Sequence, residues 1–204
     1  MINPIVHIVD DDEAIRDSIK ELVESVGMIA ALFESAPAVL KFIKPDSCGC
    51  IVLDIRMVGM SGLVLQDRLL ELGIEIPLII ITGHGDIDMA VTAIKKGALD
   101  FIQKPYHEQN LLDSINAAML FDVKKKAKQQ QQLQFKEYNS HLTQREIEVL
   151  NLLIKGMSNK LIARSLEISP RTVEVHRQHI FEKYDVHSAP QLIYLVNQST
   201  EMVQ

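Results

Sequence analysis

The sequence predicts an α/β domain of five alternating strands and helices followed by a small all-helical domain, and three observations carry that reading. Short apolar runs alternate with helix-periodic stretches as far as Asp122 and then stop. The charge changes sign at the same place. Up to Asp122 there are 9 Lys/Arg against 19 Asp/Glu, a balance of −10, whereas the remainder carries 12 against 8, a balance of +4. The C-terminal part, finally, offers helix caps and no strand pattern.

The strands are expected at Ile5–Val9, Met28–Phe33, Cys50–Asp54, Leu78–Ile81 and Leu99–Ile102. The first, third and fourth are almost continuously apolar, as parallel strands covered on both faces must be. Between the first two, Ile15, Ile19, Leu22, Val23 and Val26 recur at helical spacing, and Gly27 can close that helix in a left-handed cap. Gly73 and Gly97 punctuate two later helices in the same way. Five such β/α units make an open, doubly wound sheet of the flavodoxin-like class, whose sites lie beyond the carboxyl ends of the strands.

From Asp122 to Ser140 the composition turns to Lys and Gln without Gly or Pro, with Lys124, Lys125, Lys126 and Lys128 leading into Gln129–Gln132. Both are good helix formers, so the stretch reads as an extension of the fifth helix into a solvated connector, with DNA contact as the alternative. The expected division is 1–122, a helical linker over 123–140, and a second domain over 141–204. In that domain Thr143 and Glu146 fit a capping box, Gly156 ends the first helix, and Ser158 can cap the second. Ser169 followed by Pro170 opens a third helix, and a fourth runs from about Ser188 to Val196. Cys48 and Cys50 are the only cysteines, too few for a zinc site, and read as two buried thiols in a reducing compartment. Neither a secretory signal nor an apolar run of membrane-spanning length is visible, so a cytoplasmic location is expected.

Chemistry concentrates at one sheet edge. Asp10, Asp11 and Asp12 follow the first strand, Asp54 ends the third, Thr82 closes the fourth and Lys104 follows the fifth. Converging carboxylates repel unless a cation joins them, and hard oxygen ligands suit Mg²⁺. A metal, an anionic nucleophile, a hydroxyl and an ammonium around one small anion fit in-line transfer of a phosphoryl group to a carboxylate.

The stretches Val-His-Ile-Val-Asp10-Asp11-Asp12, Leu-Asp54-Ile-Arg-Met, Ile-Thr82-Gly-His-Gly-Asp and Asp-Phe101-Ile-Gln-Lys104-Pro105 closely resemble the receiver domain of two-component response regulators over residues 4–122. Thr82 to Asp86 is similar to the FixJ branch. The resemblance implies that Asp54 accepts phosphate from a sensor histidine kinase. Asp11, Asp54 and the backbone carbonyl of Arg56 would bind Mg²⁺, for which Mn²⁺ can substitute, with Asp10 acting through water. Lys104 and Thr82 would hold the phosphoryl oxygens. Phe101 would turn inward when Thr82 moves; an ordinary core aromatic is the other reading. Val58 stands where the family often has proline. His7 reads as a core histidine, and His84 is a candidate for tuning dephosphorylation.

Around the third helix of the second domain, a wheel gathers Val173, Ile180, Tyr184 and roughly His176 on one face, with Arg171, Glu174, Val175, Gln178 and Glu182 opposite. Leu142-Thr-Gln-Arg-Glu-Ile-Glu-Val-Leu150, Gly156, Asn159-Lys160, Ile162-Ala163, Ile168-Ser169 and Arg171 to Arg177 resemble the LuxR-type helix-turn-helix of the NarL/FixJ subfamily over residues 140–198. Tyr184 to Ser188 is less typical of it. The resemblance implies that the third helix enters the major groove, with Glu174, Val175 and Gln178 at bases and Lys160, Arg171, Arg177 and Lys183 at phosphates. It further implies promoter DNA and RNA polymerase as partners, and a homodimer when phosphorylated, through the fourth helix (Val91, Ile94, Lys95), fifth strand and fifth helix of the receiver. Two rivals stand beside this reading: a phosphatase with an aspartyl-phosphate intermediate, and a DNA-binding regulator independent of phosphate.

Overall fold

The computed structural model describes residues 4–83 and 87–200, and within them the chain forms two compact units, one ending at Lys125 and the other beginning at Lys126. In the first unit β1 (Ile5–Val9), β2 (Ile29–Phe33), β3 (Gly49–Asp54), β4 (Leu78–Thr82) and β5 (Asp100–Gln103) build one sheet of order β2-β1-β3-β4-β5. Every pairing is parallel. The expected strand limits hold to within one residue.

The reason the strands are apolar throughout is visible in their alternation. Cys50, Val52, Ile79 and Ile81 face α1 (Glu13–Ser25) and the first part of α5 (Glu108–Ser140), packing on Ile19, Val23, Leu111 and Ile115. Ile51, Leu53 and Ile80 face the other way, toward Ala36 and Val39 of α2 (Ala36–Phe42), Leu65 and Leu69 of α3 (Gly62–Glu71) and Ala93 of α4 (Ile87–Lys95). Gly27, Gly73 and Gly97 all take positive φ at helix ends, as expected.

One acid breaks the apolar pattern. Asp122 lies on the buried face of α5, in phase with Ile115, Ala118 and Met119, and is itself fully buried. Its Oδ2 accepts the Gly49 amide at 2.8 Å and the Cys48 thiol at 3.1 Å, which ties α5 to the start of β3. The expectation of two buried thiols is thus corrected: Cys50 is buried, but Cys48 is partly exposed. Burial, reinforced by the Asp122 charge, pushes the Cys50 thiol up to about 12, so it stays protonated and inert. His7 is a core residue, its ring near those of Phe33 and Phe42 at centroid distances of 6.0 and 5.9 Å.

The second unit consists of the end of α5 with α6 (Gln144–Ile154), α7 (Asn159–Ser165), α8 (Pro170–Lys183) and α9 (Ala189–Thr200). Thr143 and Glu146 form the reciprocal capping box, and Ser158 and Ser169 cap α7 and α8. Val149, Leu150, Ile162, Val173, Ile180 and Leu192 make its core. Phe135 and Tyr138 pack against that core, and Tyr184 donates from its hydroxyl to Asn139 Oδ1 at 2.7 Å. Residues read from sequence as linker therefore help to build the second unit. Among the described residues no helix is long and apolar enough to cross a membrane.

Candidate functional site

The parallel sheet delivers its strand ends to one edge, and the polar residues meet there. Asp10 leaves β1 and Asp54 ends β3, both almost fully buried, at 2% and 5% exposure. Lys104, which follows β5, bridges them: its Nζ lies 2.7 Å from Asp10 Oδ2 and 2.9 Å from Asp54 Oδ1. The Lys104 amide donates to the Thr82 carbonyl at 2.8 Å, which fixes the lysine's backbone to the end of β4. The Arg56 amide donates to Asp54 Oδ2 at 2.6 Å and orients the carboxylate. Gly62 closes the loop behind Asp54; a Cβ there would stand 2.4 Å from the Asp54 carbonyl oxygen, so only glycine fits.

The three consecutive aspartates divide their tasks. Asp10 Oδ1 accepts the Asp12 amide at 2.9 Å, and the Asp10 carbonyl accepts from Arg16 at 2.8 Å. Asp12 is the N-cap of α1, accepting from the Ala14 and Ile15 amides. Asp11 reaches across to accept the Val58 amide at 2.9 Å with Oδ2. The Val58 side chain, 85% exposed, contributes no packing, so the peptide, and not the side chain, joins the two loops. Sequence reasoning missed the Arg16 and Val58 contacts, which carry no local signal.

Electrostatics follow from this arrangement. Burial raises the Asp54 pKa above the ordinary 3.8, aided by the nearby Asp10 charge and only partly countered by Lys104 and the Arg56 amide. For Lys104, burial works against the charge, but hydrogen bonds to Asp10 and Asp54 outweigh it and the pKa ends raised. Asp10 and Asp54 share one ammonium, so negative charge is in excess. Among the described residues no three acidic, His or Cys side chains form a cage for an ion. Mg²⁺ takes one or two carboxylates, with waters and substrate oxygens completing its shell, and Asp11 and Asp54 with a backbone carbonyl suit that habit.

Thr82 is fully buried and Phe101 half-buried, the latter packed on the α2–α4 side of the sheet. Val91 and Ile94 of α4 are 44% and 46% exposed, so neither is committed to the sheet. Phe101, Tyr106, Asn110 and Ser114 line a shallow groove of about 500 Å³ along β5 and the start of α5. His84 lies outside the described residues.

In the second unit α7 and α8 form the helix–turn–helix pair. Val173, Ile180 and Tyr184 are buried, whereas His176 is only half-buried. Arg171, Glu174, Val175, Gln178 and Glu182 are exposed on the far arc, with Gln178 Nε2 donating to Glu182 Oε1 at 3.3 Å. Lys160 is exposed on α7. Two of the cations expected at phosphates also have partners within the unit. The Arg177 guanidinium donates to Asn159 Oδ1 and lies 5.6 Å from the Phe181 ring centroid, bracing α8 on α7. Lys183 donates to Glu146 Oε2 at 2.7 Å, and the same oxygen accepts the Thr143 amide at 2.7 Å. Burial disfavours the Glu146 charge, yet the Lys183 and Thr143 donors prevail and bring its pKa from 4.5 to about 2. The capping box was legible in sequence; its extension to Lys183 was not.

Two family models match the chain: a response regulator receiver domain over residues 6–116, and bacterial regulatory proteins of the luxR family over residues 140–196. The response regulator protein TmoT of Ectopseudomonas mendocina is 43% identical over 189 residues, covering 93% of this chain and 86% of that protein. The transcriptional regulatory protein FixJ of Rhizobium meliloti is 40% identical over 193 residues, covering 95% of each. Among solved structures, the response regulator StyR aligns with a TM-score of 0.85 at 41% identity, covering 97% of this chain and all of that one.

Proposed function

The chain belongs to the response-regulator family, with a receiver domain and a LuxR-type DNA-binding domain, and from that premise we propose that it is a transcription factor switched by Mg²⁺-dependent phosphoryl transfer from a sensor histidine kinase to Asp54. The observation that carries the proposal is the bridge Asp10–Lys104–Asp54 at the carboxyl edge of the sheet, on the same chain as a capped helix-turn-helix.

An Asp54 oxygen attacks phosphorus in line, the phosphorus–nitrogen bond of the kinase's phosphohistidine breaks, and its electron pair leaves on the imidazole, which takes up a proton. Asp11, Asp54 and the Arg56 carbonyl would hold Mg²⁺, with Asp10 acting through water, and the bound ion would supply charge neutralisation for the incoming phosphoryl oxygens. The Arg56 amide keeps the carboxylate aimed. Lys104 exchanges its bond to Asp54 for one to a phosphoryl oxygen, and the Thr82 hydroxyl donates to another. The chain catalyses only its own phosphorylation and dephosphorylation.

Output follows from the second domain. The domains are 1–122, a helical linker over 123–140 and 141–204, with the last turns of the linker packed on the DNA-binding core. Drawing Thr82 toward phosphate makes room for Phe101 and remodels the surface of α4, β5 and α5, where the exposed Val91 and Ile94 favour a second copy. The homodimer then binds promoter DNA in the cytoplasm and acts on RNA polymerase. Glu174, Val175 and Gln178 face bases. Lys160 and Arg171 hold phosphates, while Arg177 and Lys183 keep α8 in position. Labelling with acetyl phosphate tests the reading: Asp54→Asn, or excess chelator, abolishes incorporation, and undiminished labelling in either case refutes it.

A further inference from the structure

The exposed arc of α8 carries Glu174, Gln178 and Glu182 at intervals of four residues, so the three side chains stand in one row along the helix. Both neighbours of Gln178 in that row are acids, and its Nε2 donates to Glu182 Oε1 at 3.3 Å. The carboxylate fixes which way the amide faces, since turning Gln178 over would set its oxygen against a charged one. The Gln178 donor is thereby used within the helix, and its Oε1 is the group left to face outward. Glu174 likewise has only oxygens to offer.

A row of acceptors finds few partners in a major groove. The bases present acceptors there, namely guanine N7 and O6, adenine N7 and thymine O4, and the only donors are the exocyclic amines of adenine and cytosine. An amide with both groups free makes two bonds to adenine, accepting from N6 and donating to N7, and so separates adenine from cytosine. With Nε2 held by Glu182, the second bond is not made. Docking in the groove removes water from this row, which strengthens a hydrogen bond to a charged acceptor.

We propose that Glu182 is a positioning residue that makes Gln178 a pure acceptor. The base facing Gln178 is then read for its amine, adenine or cytosine alike, against guanine and thymine. This rests on the placement of Gln178 at a base, and adds the class of base and the residue that sets it.

Sites selected from random DNA by the full-length protein, phosphorylated with acetyl phosphate and Mg²⁺, test the proposal. The position facing Gln178 is the one whose preference Gln178→Ala abolishes. There the unaltered protein should bind adenine and cytosine within ~2-fold of each other, and either roughly 10-fold more tightly than guanine or thymine. Replacing that adenine with 7-deazaadenine, which lacks the N7 acceptor, should change nothing. Glu182→Ala, at an exposed position, frees Nε2. In that variant adenine should exceed cytosine roughly 10-fold, and 7-deazaadenine should lose the gain. Adenine preferred over cytosine by the unaltered protein, sensitivity of that protein to 7-deazaadenine, or an unchanged ranking in Glu182→Ala overturns the proposal and leaves Gln178 at its base. If Gln178→Ala alters preference at no position, the placement of Gln178 at a base fails, and the proposal with it.

Discussion

Asp54 is held against its own stability. Its pKa is raised because burial and Asp10 disfavour the carboxylate more than Lys104 and the Arg56 amide favour it. A raised pKa means that the folded state prefers the protonated form, so ionisation above the ordinary 3.8 costs stability, and that cost grows as pH rises through the folded value. Asp54→Asn removes it. The variant should melt above the unaltered protein at pH 7 without divalent cations, and the difference should vanish on acidification below the ordinary value. Calorimetry across that range checks the sign; a variant less stable at pH 7 contradicts it. Mg²⁺ should raise the melting temperature of the unaltered protein and leave that of the variant almost unchanged.

Among the helices, Glu146 and Lys183 join α6 to α8 through a carboxylate that is 3% exposed. Its pKa is lowered to about 2, so the stabilisation is complete above the ordinary 4.5 and drains away as pH falls toward 2. Glu146→Gln should cost about 1–3 kcal/mol at neutral pH and abolish that acid sensitivity, as thermal unfolding of the second domain's signal would record. The same contact separates the cations. Lys183→Ala should act through stability, whereas Lys160→Ala should weaken binding to all DNA sequences and reduce the slope of affinity against salt by about one ion. Gln178→Ala should instead relax preference at one or two base pairs at a cost of about 1–3 kcal/mol, measured over a library of site variants.

What the sequence made legible has a physical pattern. Strand ends are marked by where apolar runs stop, so Asp10, Asp54, Thr82 and Lys104 could be assigned to one edge before any coordinates. Caps are local chemistry, so Thr143, Ser158 and Ser169 were equally plain. Asp122, Arg177 and Lys183 were not, because their partners lie on other elements. A helical period fixes which face a residue occupies but not what the next element places opposite it. Asp122 did leave a trace, an acid in phase with Ile115 and Met119 on an apolar face, and that signal could have marked it as buried.

For the whole molecule, the account joins chemistry at Asp54 to DNA binding by α8 on one chain. Dimerisation through α4, β5 and α5 is the proposed intermediate step, and sedimentation of the full chain should show a monomer converting to a dimer with beryllofluoride and Mg²⁺. An Ile94→Asp variant should be phosphorylated normally and remain monomeric. The most direct test is the affinity of the full-length protein for its selected DNA, before and after acetyl phosphate with Mg²⁺, in the unaltered chain and in Asp54→Asn. The account predicts at least ~10-fold tighter binding after phosphorylation of the unaltered chain, from the second copy's share of the contacts, and no change in the variant. Equal affinity in all four states, or tightening of the Asp54→Asn protein, would contradict it.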